Sequence, residues 1–293
     1  MQIFNELNEN KGLALALGYF DGVHIGHQAV IKSAVNFARQ NNTKSAVITF
    51  KDHPYCFFKG VCPKYILSRK ERERKIEQLG IDYIYELDFE NICSLTADEY
   101  LNILQKNFAP ISISTGENHN FGCKKSGNTE FLNNNAQNYK YFKIPIQKIN
   151  NEPVSSTTIR NLLSKGEIKT ANLMLGSDFE INGKIIKGNQ IGRTIGFKTA
   201  NIIYPPELVE LPYGVYKVET QFGKGIANFG IRPTVDGSYA VLETHILDFD
   251  KDIYGEILNI KFCKMIRKEI KFTSLEELKA QIQKDINTIK KHP

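Results

Sequence analysis

The sequence predicts an α/β domain built on a doubly wound parallel sheet, followed by an all-β antiparallel domain that carries a terminal helix. Three observations point there. In the first half, apolar strand-like runs at residues 13–17, 45–50 and 81–87 alternate with helical runs at 28–40, 68–79 and 96–108, the alternation that builds a parallel sheet with crossover helices. From Phe179 the character changes to short alternating runs such as Tyr216-Lys217-Val218-Glu219, separated by turn signals at Gly223-Lys224-Gly225, Asp236-Gly237 and residues 248–252. Such spacing suits a small antiparallel barrel. Near the end, Leu275, Leu278, Ile282, Ile286 and Ile289 trace one helical face, preceded by a capping box from Thr273 with Glu276 or Ser274 with Glu277. Gly176-Ser177-Asp178 ends the helical pattern between them, which gives domains 1–177 and 178–293.

Composition bounds the function classes. The chain has 293 residues, 41% hydrophobic and 24% charged, enough for two ordinary cores. No window approaches eighteen consecutive apolar residues, and the start MQIFNELNENKG lacks the regions of a secretory signal. A cytoplasmic protein with no membrane partner is expected. The five cysteines, Cys56, Cys62, Cys93, Cys123 and Cys263, are odd in number and scattered, so reduced thiols are expected rather than a disulfide framework. The net charge of +6 is spread over lysines without a long block. Nucleotide substrates or a solvated lysine surface explain it as well as nucleic acid does, and no nucleic-acid partner is assigned. Oligomeric state is not readable.

The stretch LALALGYFDGVHIGH, residues 13–27, reads as a buried strand, a turn at Asp21-Gly22, and the start of a helix. A loop of that kind, beyond the carboxyl end of a sheet strand, makes an anion site from free N–H groups and the helix dipole. His24 and His27 stand there at i and i+3, so both imidazoles can face one phosphate, and Gly26 lets backbone and ligand come close. Two alternatives stand beside that reading. A metal site needs three or four ligands, and no CxxC or HExxH lies near; surface histidines without a task are the usual default, though not in a Gly-bracketed loop after an apolar strand.

GYFDGVHIGH resembles the GxFDGxHxGH signature of the bacterial bifunctional flavin enzymes, riboflavin kinase fused to FMN adenylyltransferase, a branch of the HxGH nucleotidyltransferase superfamily. The resemblance implies a Rossmann-like nucleotidyltransferase domain in which Gly18 and Phe20 bind nucleotide and His24 and His27 are catalytic. Further along, KDHPYCFF resembles the family's xPHPxxFF, which puts His53 and Pro54 on the flavin side of the pocket. GENHNFGCKKSG resembles VGxNFxFGxxxxG and carries the nucleotide-contacting asparagine onto Asn118, with two departures: His119 where an aromatic is usual and Asn120 where a basic residue is common. The hydroxyl-rich helix start at 154–160 could be only a cap. Its resemblance to ISSTxIR implies instead that Ser156, Thr157 and Arg160 hold the β- and γ-phosphates that leave as pyrophosphate.

In the second half, KGNQIGRTIGFKTAN at 187–201 contains neither a Walker A motif nor GxGxxG. It resembles the riboflavin kinase signature GRxLGFPTAN. In that family the threonine and asparagine hold Mg²⁺ with the nucleotide phosphates, which implies nucleotide and Mg²⁺ contacts at Gly192, Thr199 and Asn201. Magnesium needs few protein ligands because it keeps waters and takes phosphate oxygens. Lys198 stands where the family has proline, and the expected consequence is a looser loop with an added cation near phosphate. YGVYKV, ANFGIRPTV and LETHILDFDKDIYG resemble GVYAV, AN+GxRPTV and LEVHLLDFxxDLYG, the last placing the family's general base on Glu243. Read alone, Glu243 is better taken as a solvent-facing strand residue paired with a lysine, and the resemblance reverses that preference.

The resemblance spans about residues 11–288 and implies a six-stranded antiparallel riboflavin-kinase barrel behind the α/β domain. The expected activity is ATP-dependent phosphorylation of riboflavin to FMN by the second domain and adenylylation of FMN to FAD by the first, with riboflavin, FMN and ATP as substrates and Mg²⁺ as cofactor. Two rivals are a chain with only the kinase half active and a non-catalytic flavin or nucleotide-binding regulator. Acid–base and metal-binding groups kept at His24, His27, Thr199, Asn201 and Glu243 argue against the second.

Overall fold

A computed structural model describes residues 1–187, 196–234 and 237–290. Gly192, Asp236 and most of the Gly-rich run before Gly196 therefore lie outside the described residues. By contact the chain divides into two compact units, Met1–Thr158 and Ile159–Pro293.

In the first unit, β1 (Gln2–Phe4), β2 (Ala14–Leu17), α1 (Ile25–Gln40), β3 (Ser45–Phe50), α2 (Pro54–Lys59), α3 (Arg69–Gln78), β4 (Tyr83–Leu87), α4 (Ala97–Phe108) and β5 (Ser112–Gly116) follow in order. Two short strands, β6 (Asn120–Phe121) and β7 (Gly127–Asn128), precede α5 (Thr129–Asn134) and β8 (Lys140–Ile144). A second small pair, β9 (Lys148–Ile149) and β10 (Glu152–Pro153), leads into α6 (Ser156–Ser164), and α7 (Ile168–Leu175) follows in the second unit. The main sheet is six-stranded, β1-β4-β3-β2-β5-β8, and parallel throughout. Strand order reverses between β2 and β5, the switch point at which such sheets bind ligands beyond the carboxyl ends of their strands. Leu13, Leu15, Leu17, Tyr85, Leu104 and Phe108 build the core beneath it.

Most expected elements stand, with shifted ends. The first helix begins at Ile25 rather than residue 28, because His24 caps it, and Thr96 with Glu99 forms a reciprocal capping box on α4. The dense charge at 68–79 predicts a solvated helix; α3 instead buries Arg72 and Ile76. Arg72 ion-pairs with the fully buried Glu86 of β4 at 2.8 Å, which lets a charged side chain face the interior. The edge strands β1 and β8 carry weak apolar signals and were not expected. The cysteine expectation also fails: Cys56 of α2 and Cys62 are disulfide-bonded, while Cys93, Cys123 and Cys263 are free. The chain reverses between the two at Gly60, which adopts a left-handed φ of 68° and brings positions six apart together.

The second unit contains β11 (Phe179–Lys184), β12 (Ala200–Ile203), β13 (Gly214–Thr220), β14 (Gly223–Thr234), β15 (Gly237–Ile246), β16 (Ile257–Lys268) and α8 (Leu275–Lys290). Its six strands run antiparallel in the order β11-β16-β13-β14-β15-β12. The ends of the sheet meet just beyond β11, where Ile186 N–H donates to the Asn201 carbonyl at 2.8 Å. Phe179, Tyr216, Val218, Phe229, Leu258 and Phe262 fill the interior. The turn expected at 223–225 lies inside β14; the hairpin instead turns at residues 221–222, with Thr220 opposite Gly223. Ile286 and Ile289 of α8 pack on Val215 and Ile226, as the helical face required. Of the two capping arrangements, Ser274 accepts from the Glu277 N–H at 3.2 Å, and the Glu277 carboxylate reaches one residue farther back, to Thr273 N–H at 3.0 Å.

Candidate functional site

The loop after β2 is strained. Phe20, Gly22 and Val23 have φ of 62°, 81° and 43°, a conformation costly for a β-branched residue and one that persists only when the surroundings over-determine it. They do so here. Phe20 and Val23 are buried, and the buried Asp21 carboxylate accepts from Ile66 N–H at 3.1 Å. A Cβ on Gly18 would lie 2.9 Å from the Phe20 ring, so only glycine lets that ring fold back over the strand end.

His24 is the N-cap of α1 rather than part of its first turn: its Nδ1 accepts from His27 N–H at 3.3 Å. The two imidazoles stack with centroids 3.5 Å apart, and Phe20 meets His27 edge-on at 5.3 Å. The reading of Gly26 as room for a ligand is refined by the structure, since a Cβ there would meet the His24 ring at 3.2 Å. Burial lowers the His24 pKa from 6.5 to about 4, so the ring is neutral near pH 7. With Nδ1 accepting, the assigned tautomer carries its proton on Nε2, as a donor.

The hydroxyls at the α6 start divide their work. Ser155 is the cap, accepting from Thr158 N–H at 3.1 Å, whereas Ser156 Oγ donates to the Asp21 carbonyl at 2.9 Å. One hydroxyl thus ties the motif at 156 to the loop at 21, across 135 positions of sequence. Thr157 follows in the same turn, and Arg160 one turn on along α6. His53 caps α2, Pro54 opens it, and Tyr19 of the site loop meets the His53 ring at 4.8 Å. The same tyrosine lies under the Arg72 guanidinium, 4.7 Å away, so the buried Arg72–Glu86 pair underlies the loop. Asn118 lies just past β5, exposed. His119 Nε2 is buried without a partner and its pKa is lowered to about 4 by burial; its ring lies alongside Phe121 at 5.7 Å.

In the barrel, Asn201 of β12 stands directly opposite Glu243 of β15, and Asn228 of β14 opposes Glu243 on the other side. Two clefts adjoin this row. One, about 160 Å³, is lined by Lys198, Thr199, Asn201, Thr244 and the loop 249–254; the other, about 290 Å³, by Thr199, Asn228, Glu243, Arg267 and α8 residues. Thr199 lines both. Lys198 ion-pairs with Asp250 across the first cleft, and its carbonyl is 2.8 Å from His245 Nδ1. Arg232, which sequence reasoning missed, contacts both Asn201 Oδ1, at 3.1 Å, and Glu243 Oε1. Only its place in the GIRPT run could have signalled it. Among the described residues no group of three or more His, Cys, Asp or Glu side chains is arranged to hold a metal, and no helix is long and apolar enough to cross a membrane. Thr199 and Asn201 line one cleft; with one lone pair of Asn201 Oδ1 taken by Arg232, its other lone pair and the Thr199 hydroxyl are what a hard cation could use there, its remaining ligands coming from phosphate and water.

Two family models match the chain in tandem, FAD synthetase over residues 6–158 and riboflavin kinase over 175–292. The bifunctional riboflavin kinase/FMN adenylyltransferase of Haemophilus influenzae is 34% identical, with 99% of this chain and 98% of that protein covered. The chain belongs to this bifunctional family. The Escherichia coli K12 member is 33% identical over 94% of this chain and 91% of its own. A crystal structure described as a macrolide-efflux protein from Streptococcus pneumoniae shares the architecture, with TM-score 0.89, 32% identity and 98% and 97% of the two chains covered. Both catalytic domains are present, so the chain is a riboflavin kinase and an FMN adenylyltransferase, with riboflavin, FMN and ATP as substrates and FAD as the final product.

Proposed function

We propose that adenylyl transfer takes place at the loop after β2 and phosphorylation at the Asn201–Glu243 row of the barrel. The observation that carries the reading is the pairing of the His24 and His27 rings, 3.5 Å apart at the α1 N-terminus, on a loop that Ser156 also grips. In this reading an FMN phosphate oxygen attacks the α-phosphorus of ATP while the bond to pyrophosphate breaks. His24 Nε2–H and His27 donate to the phosphoryl oxygens as their charge rises, the free N–H groups of α1 add positive potential, and Ser156, Thr157 and Arg160 hold the leaving pyrophosphate. Gly18 and Phe20 shape the adenosine side, Asn118 contacts the nucleotide, and His53 and Pro54 face the flavin. No protein nucleophile is required, and positioning with charge stabilisation carries the step. Residues 1–177 are assigned to this half and 178–293 to the kinase.

In the kinase half, Glu243 takes the proton of the riboflavin 5′-hydroxyl as that oxygen attacks the γ-phosphorus of ATP, the bond from that phosphorus to the β-phosphate oxygen breaks and ADP leaves. Thr199 and Asn201 would hold Mg²⁺, which, when bound, neutralises phosphate charge; Gly192 contacts the nucleotide. We place the enzyme in the cytoplasm, without a nucleic-acid or membrane partner. Supplying riboflavin, ATP and Mg²⁺ and resolving the flavins by chromatography tests both halves. His27→Ala is expected to accumulate FMN without FAD; Glu243→Ala is expected to make no FMN from riboflavin yet to convert supplied FMN to FAD. FAD formation by His27→Ala at the normal rate would remove the first assignment.

A further inference from the structure

We propose that Arg232 is a positioning residue of the kinase step, fixing which oxygen of Glu243 acts as base and which way the Asn201 amide faces. The inference rests on Glu243 being that base.

Register alone leaves these two side chains facing each other, because Asn201 and Glu243 are direct cross-strand partners on β12 and β15. A carboxylate opposite an amide oxygen is repulsive, so without a cation the amide would turn its NH₂ to Glu243. Arg232 reverses that choice. It sits on β14, four positions beyond Asn228, the other cross-strand neighbour of Glu243, and so projects to the same face of the sheet. One of its nitrogens, Nη2, donates both to Asn201 Oδ1 at 3.1 Å and to Glu243 Oε1. The Asn201 amide nitrogen is then directed away, toward the Thr199 carbonyl at 3.4 Å.

Exposure assigns the roles within the pair. The Arg232 side chain is 15% exposed and that of Glu243 38%, so the cation lies on the inner side and the carboxylate toward the cleft. Engaging Oε1 leaves Oε2 as the oxygen that meets the substrate hydroxyl. Arg232 touches neither substrate nor phosphate in this scheme; it acts through Glu243 and Asn201. Because both contacts come from one nitrogen and the two-pronged fork of the guanidinium is not used, an ammonium can stand in for it, unlike at a bidentate arginine.

The test compares Arg232→Gln, Arg232→Lys and Glu243→Gln in the full-length chain, with riboflavin phosphorylation followed by chromatography and riboflavin binding by flavin fluorescence. Arg232→Gln is expected to lower kcat for FMN formation at least tenfold, with riboflavin binding and KM within about twofold of the parent. Arg232→Lys is expected to recover at least half of the lost turnover on a logarithmic scale. The proposal is overturned if Arg232→Gln keeps its kcat, if lysine rescues no better than glutamine, or if riboflavin binding disappears together with turnover, the mark of a residue that only holds the barrel. Glu243→Gln reports separately: normal kcat there sinks the base assignment itself, whatever the arginine variants do.

Discussion

Acid should weaken the first unit through His24, and the size of the effect follows from its burial. The ring is neutral when folded because desolvation lowers its pKa from 6.5 to about 4. The unfolded chain therefore binds a proton between about pH 6.5 and 4 that the folded chain refuses, so stability is fully present above pH 6.5 and falls as the pH drops through that window. Linkage gives a loss of about 2 kcal/mol at pH 5 and about 3 kcal/mol at pH 4 from this one group.

Replacing His24 by Asn, which can still cap a helix, removes the titration. His119, whose pKa is also lowered to about 4 by burial, is present in both proteins and cancels in the comparison. Urea titrations of the full chain at pH 7 and pH 5, read by limited proteolysis and mass spectrometry of peptides from α1 and β3, give the stability of the unit. The parent should lose about 2 kcal/mol more than His24→Asn between the two pH values. Equal losses would refute the claim that a buried, neutral imidazole caps α1. FAD formation by the parent should show no ionisation of His24 between about pH 8 and pH 7, since no imidazolium at position 24 takes part; a decline below that follows the FMN phosphate, whose second ionisation lies at about pH 6.

Three further outcomes are expected. Gly26→Ala places a Cβ 3.2 Å from the His24 ring and should slow FAD formation by about tenfold or more while leaving urea stability level or slightly raised, because alanine favours a helix; an unchanged rate would mean that ring placement is not limiting. Arg72→Ala removes the 2.8 Å partner of the fully buried Glu86 and leaves Arg69 as its remaining ion-pair partner, so it should destabilise the first unit in urea by less than the about 3–5 kcal/mol that an unpaired buried carboxylate costs. Lys198→Pro removes the ion pair with Asp250 and restores a fixed φ before Thr199; the kinase KM for ATP should shift while that of the adenylyl step does not, and no shift would dismiss the loop reading.

Local signals carried much of this molecule. The alternation of strand and helix and the α8 face each depend on residues within a few positions of one another, and both survive in the structure. What sequence could not supply was whatever depends on distant partners. Ser155 and Ser156 are adjacent and chemically alike, yet one caps α6 and the other holds a loop 135 positions earlier. Arg72 sits among charged residues that read as solvated, until Glu86 of β4 supplies a buried partner. Cys56 and Cys62 are scattered as spacings go and become a bonded pair only because the chain reverses at Gly60.

The two sites share a physical arrangement that bears on how each resists mutation. In the first, the Asp21 carboxylate binds Ile66 N–H while its carbonyl accepts from Ser156, so a loop with three positive φ values is pinned from two sides. In the second, Arg232 orients Asn201 and Glu243 at once. Neither Asp21 nor Arg232 needs to touch a reacting atom, yet each fixes the direction of groups that do. Substitution at such a position should lower turnover more than binding, because an imidazole or carboxylate displaced by an ångström still lies within reach of a bound substrate but no longer lines up with the charge that develops in the transition state.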